Sequence, residues 1–222
     1  MAYTFYEETP DEYTTKKAIA ESSPVLGKWL WILFWLVVPT VISGLMKSET
    51  IMNAFPGIYR MGQILGITCS LAYGAILLKL SPAEQRYRTA GNCALISVAL
   101  GIPVIILFGA SDTPPWALFI TVPETIIGLS GEYNEYNAHS VVLFRADHEL
   151  SEKWLTLWKW YVGFMAGMLS AVILALMAPP LGLAVLSVCS IGVSVSLIIK
   201  LIYLYRTARL FREYAANPSL LE

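Results

Sequence analysis

Charge is what this chain has least of. Lys and Arg number 15 and Asp and Glu 16 among 222 residues, with a formal net charge of −1. So sparse and balanced a set gives no electrostatic footprint for nucleic acid, and no basic, aromatic-interleaved patch makes up for it. Cysteine is scarce too. Cys69, Cys93 and Cys189 share no CxxC spacing and fall in apolar stretches, which leaves packing as their role rather than a disulfide framework or a zinc site. There is no HExxH, no phosphate-cradling glycine loop and no nucleophile with a companion base, so neither an enzyme nor a cofactor is expected. The opening "MAYTFYEETPDEYTT" lacks the apolar core of a secretory signal. The first apolar span is therefore expected to direct the chain into the membrane.

Apolar residues are abundant. They make up 56% of the chain and the mean hydropathy is +0.60, well beyond a typical soluble domain. Roughly 20 apolar residues cover the hydrocarbon core of a bilayer. "WLWILFWLVVPTVISGLM" (29–46), "MGQILGITCSLAYGAILL" (61–78) and "GNCALISVALGIPVIILFGA" (91–110) each qualify. From 160 to 199 there is no charge at all, and "APPLG" (178–182) divides that run into two helices with a tight turn between them. A less apolar stretch after Trp116 supplies a further span. With it, all but two of the 15 basic residues, Lys47 and Arg60, fall on or near one side of the membrane, as the positive-inside rule asks of cytoplasmic loops.

The sequence thus predicts an all-α polytopic membrane helix bundle with six transmembrane helices and both termini cytoplasmic. The spans are expected at about 28–46, 58–79, 90–110, 115–138, 154–178 and 181–205, within a membrane domain covering 28–206. A tail at 1–27 carries a short surface helix capped by "TPDE" (9–12), and 207–222 forms a second cytoplasmic tail. "SPAE" (81–84) repeats the helix-start signal ahead of the third span. Trp29, Trp31, Trp35, Trp154, Trp158 and Trp160 are expected at the cytoplasmic interface, with Trp116 at the opposite one. The setting is a cell membrane, plasma or bacterial inner. The partners are the lipid bilayer and either a second copy or a partner subunit, not nucleic acid. "KWL" (28–30, 153–155), "YRTA" (87–90, 205–208) and the pair "ILLKL" and "LIIKL" (76–80, 197–201) hint at a parallel repeat of two-span units.

The polar residues gather on the fourth span. At 100° per residue, Glu124, Gly128, Glu135 and His139 fall within about 60° of one another, with Glu132 about 20° further round. Glu124 lies at intramembrane depth, where an acid costs at least about 2.5 kcal/mol and usually faces the bundle interior. Its nearest counter-charge in the sequence is Arg60. Glu132 and Glu135 approach the cytoplasmic interface and His139 lies beyond it, with Tyr133 and Tyr136 as headgroup anchors. As an i, i+4 pair, Glu135 and His139 are also candidates to share a metal ion. Pro39, Pro103 and Pro123 mark three helices for kinks, and Gly62/Gly66 and Gly163/Gly167 mark close helix packing.

Two functions fit this pattern. One is a transporter or permease-like subunit, with Glu124, Glu132, Glu135, His139 and Arg60 along an ion or solute pathway. The other is a non-transporting membrane adaptor or assembly protein, whose polar stripe is an interfacial helix end and whose basic "YRTARLFREY" docks a partner.

Overall fold

The computed structural model describes residues 10–108 and 118–217. It is all-helical: 92% of it is helix, and the described residues contain no strand. In chain order the helices are α1 (Pro10–Trp35), α2 (Val37–Met46), α3 (Glu49–Ala54), α4 (Pro56–Leu80), α5 (Gln85–Phe108), α6 (Leu118–Leu143), α7 (His148–Met177) and α8 (Pro179–Ala216). Four helical stretches are long and apolar enough to cross a membrane: Ile19–Met46, Pro56–Leu80, His148–Met177 and Pro179–Ala216. α7 and α8 present Leu169, Ile173, Leu176, Val188 and Ile191 on their outer surface, an apolar exterior suited to lipid.

Local sequence sets the helix ends. Pro39 has no N–H to give the Trp35 carbonyl. α1 stops at Trp35, Leu36 forms a turn, and α2 resumes at Val37. α5 and α6 run on through Pro103 and Pro123. Asp147 caps α7 by accepting a hydrogen bond from the Leu150 N–H at 2.9 Å. Between α7 and α8 only Ala178 is non-helical, and two prolines open α8. That hairpin requires Gly182, because a Cβ there would lie 2.4 Å from the Ala175 backbone. Hydroxyls within the apolar helices, including those of Thr68, Ser170, Ser187 and Ser194, donate to the carbonyl four residues back. They are satisfied without any tertiary partner.

Two expected starts differ. Ser81 does not begin the third span. Its hydroxyl donates to the Leu78 carbonyl at 2.7 Å as α4 ends, and Glu84 caps α5 by accepting from the Arg86 N–H. The segment expected as a separate surface helix is continuous with the first span in α1, while Thr9 and Trp116 lie outside the described residues.

Sequence neighbours pack side by side: α2 on α4, α4 on α5, α5 on α6, α6 on α7 and α7 on α8. α1 then returns to α8 and also touches α4. The core is concentrated at one end of this ring. Leu26, Leu30 and Leu33 of α1, Leu204, Ala208 and Phe211 of α8, and Leu150, Trp154 and Leu157 of α7 belong to it, together with residues of α4, α5 and α6 such as Leu77, Tyr87 and Leu143. Each triplet has the 4, 3 spacing of one helical face. Tyr214 of α8 reaches the Ala146 carbonyl between α6 and α7 at 3.4 Å, which places that turn at the same end.

Candidate functional site

A cavity of about 610 Å³ opens between α2, α4, α5 and α6. α4 lines it with Tyr59, Gln63, Gly66, Ser70, Tyr73 and Leu77, residues three or four apart and hence on one helical face over about 27 Å. α6 lines it with Glu124, Gly128, Gly131, Glu132 and Glu135. α2 adds Thr40, Ser43 and Lys47, and α5 adds Ser97 and Gly101. α2 lies close to α4 because Gly62 has no side chain: a Cβ there would sit 2.7 Å from that of Met46. The Ser43 hydroxyl also donates to the Gly62 carbonyl at 2.9 Å.

Glu124 sits part-way along the cavity, partly exposed, with its carboxylate over Gly101 of α5. Arg60 is exposed and does not line the cavity. Among the described residues no ion pair joins the two. The residue at Gly128 faces open space, since a Cβ there would meet nothing within 4 Å.

One helical turn beyond Gly128 the cavity ends on charged groups. The Lys200 ammonium, from α8, donates at 2.8 Å to Glu132 and at 2.8 Å to Glu135. Its side chain is 11% exposed and that of Glu135 only 2%. Tyr73 donates to Glu135 through a short hydrogen bond, and its hydroxyl lies 3.5 Å from Lys200. The ring of Tyr136 faces the ammonium at 4.9 Å. Counted as formal charges, the Glu132–Lys200–Glu135 group has one negative charge in excess.

Behind Glu135 the polar chain continues inward. His139 is fully buried, with Nε2 3.5 Å from a Glu135 oxygen. Its ring stacks on Trp154 at 4.3 Å, and its Nδ1 is 2.9 Å from the Tyr87 hydroxyl. If Tyr87 donates there, the ring proton sits on Nε2, facing Glu135. At 3.5 Å that contact falls short of a hydrogen bond, and the Glu135 Oε1 and His139 Nε2 atoms are buried without a partner. Trp154 anchors the assembly through its N–H to Thr207 at 3.3 Å.

The sequence-derived stripe is therefore divided. Glu124, Glu132 and Glu135 line one cavity, while His139 lies behind it. His139 and Tyr136, expected at or beyond the membrane interface, are both fully buried, as is Trp154. The reason is that α5 and α7 pack on this end of α6, with Tyr87 and Trp154 against His139, while Lys200 reaches Tyr136 from α8. Glu135 and His139 stand together as a pair, but no group of three or more His, Cys, Asp or Glu able to hold a metal forms among the described residues. Lys200, Tyr73, Tyr87 and Trp154 join the site without having been expected in it, Trp154 having been placed only at the interface. Lys200 had a visible signal, since it is the one charge within the apolar run "SLIIKLIYLY". Its counterpart Lys79 in the matching "ILLKL" is exposed, so the two short motifs occupy different environments. Compared with known protein families, curated proteins and solved structures, the chain matches none.

Proposed function

We propose that this is a six-span membrane transporter or permease-like subunit whose solute pathway is the cavity between α2, α4, α5 and α6. The observation that carries the reading is the cavity itself. It has the volume of a small-molecule site, polar groups along one wall, and an end formed by Glu132, Glu135 and Tyr73. A carboxylate such as Glu124 in the middle of a spanning helix belongs in contact with water or a polar solute.

The side-by-side order of the helices supports six passes. α5 and α6 pack between the spanning helices α4 and α7, and 91–110 is free of charge. With six passes the basic loops share one side, together with both termini, which fits a cytoplasmic location. The partial helix break at Pro39 lies beside the cavity-lining Thr40, a position where interrupted helices line pathways in transporters.

Site-directed thiol labelling tests the pathway. In a variant with Cys69, Cys93 and Cys189 replaced by serine, single cysteines at 124, 128 and 132 are exposed to a membrane-impermeant reagent from each side. Labelling at 124 and 128 is expected. Protection of both positions from both sides would remove the pathway and leave a packed adaptor, to be pursued through its basic C-terminal segment.

A further inference from the structure

We propose that the cavity takes a small ammonium-bearing solute, an amine or a quaternary ammonium compound, and that Lys200 fills the same cation position in its absence. The inference rests on the pathway reading above and gives it a substrate class.

The Lys200 ammonium occupies a receptor built for its charge. Two carboxylates, those of Glu132 and Glu135, hold it at 2.8 Å each. The Tyr73 hydroxyl lies at 3.5 Å, and the rings of Tyr136 and Tyr73 face it at 4.9 and 6.0 Å. Carboxylates with aromatic faces around one point are the groups that recognise an ammonium. Glu132, Glu135 and Tyr73 also line the cavity, whereas Lys200 does not. A solute entering through the cavity thus reaches the two carboxylates that hold Lys200 and competes with it for them.

Charge selects the sign of that solute. Three carboxylates and one ammonium, Lys47, line the cavity, and Lys200 behind the floor offsets only one of the two excess negative charges. Low-dielectric walls concentrate such a field and enrich cations inside the cleft. The absence of any three-ligand metal group among the described residues favours an organic cation over a directly ligated metal ion.

The experiment uses Gly128→Cys in the cysteine-free background, with the full chain in lipid nanodiscs. Two methanethiosulfonate reagents of similar size are compared, one bearing trimethylammonium and one bearing sulfonate, with choline as competitor. After normalisation to a free thiol, the trimethylammonium reagent is expected to label about tenfold faster, and choline is expected to slow it. Glu132→Gln, which keeps the Lys200–Glu135 pair and hence the fold, is expected to reduce both effects. Labelling by both reagents without cation preference or choline protection would overturn the ammonium class and leave the pathway standing. Preference and protection undiminished in Glu132→Gln would move the cation site away from Lys200 and overturn the competition. No labelling by either reagent would overturn the pathway and this inference with it.

Discussion

Lys200 and Glu135 lie 65 residues apart in the sequence and 2.8 Å apart in the structure. The contact joins the last helix to the polar face of α6 and fixes where the cavity ends. Because the Lys200 and Glu135 side chains are 11% and 2% exposed, water screens the pair little. Removing one partner leaves a charge without compensation.

Lys200→Met should therefore destabilise the protein severely, by about 3–5 kcal/mol. Glu132→Gln should cost much less, since the Glu132 side chain is 31% exposed and Glu135 continues to hold Lys200. Thermal unfolding of both variants in one detergent checks the order. Equal midpoints for wild type and Lys200→Met would show that the ion pair is unimportant to the fold.

The Tyr87–His139 contact makes a second test. Tyr87→Phe removes the partner of the His139 Nδ1 in a fully buried site, a loss of about 1–3 kcal/mol. Tyr87→Phe combined with His139→Phe should cost less than the sum of the two single changes, because two apolar groups leave no unpaired donor or acceptor between them. A strictly additive double-mutant cycle would mean the two side chains do not interact.

Gly182 and Gly163 should respond in opposite ways to a methyl group. At Gly182 the new Cβ would meet the Ala175 backbone at 2.4 Å, while at Gly163 nothing lies within 4 Å. Gly182→Ala should cost about 1–3 kcal/mol through forced displacement of the hairpin. Gly163→Ala should be neutral or mildly stabilising, as alanine suits a helix interior better than glycine. Indistinguishable unfolding curves for the two variants would argue against the close α7–α8 turn.

The α7 cap offers a local control remote from the cavity. Asp147→Ala removes the acceptor for the Leu150 N–H and should cost about 0.5–2 kcal/mol, whereas Asp147→Asn should retain most of the cap. If alanine and asparagine behave alike, the side chain does not cap the helix.

Much of the secondary structure was legible because its causes are local. The apolar runs marked the four helical stretches long and apolar enough to cross a membrane, "APPLG" marked the break at Ala178, and Pro39 marked the end of α1. "SPAE" misled because a serine followed by an acid fits either side of a turn. There Ser81 closes one helix and Glu84 opens the next. The shared face of Glu124, Glu132 and Glu135 was likewise readable, since 100° per residue fixes which side chains of one helix lie together.

What the face meets was not readable in the same way. Periodicity relates a residue to its own helix and says nothing of the direction in which that face is turned. That His139 and Tyr136 are enclosed by Tyr87, Trp154 and Lys200 from three other helices could not be read from spacing. The sequence by itself determined an apolar, all-helical chain with one acidic stripe, because hydropathy and helical spacing are properties of neighbouring residues. Only the tertiary structure decided that this stripe lines a cavity and ends on a buried lysine, because that pairing depends on how α4, α6 and α8 pack across more than a hundred residues.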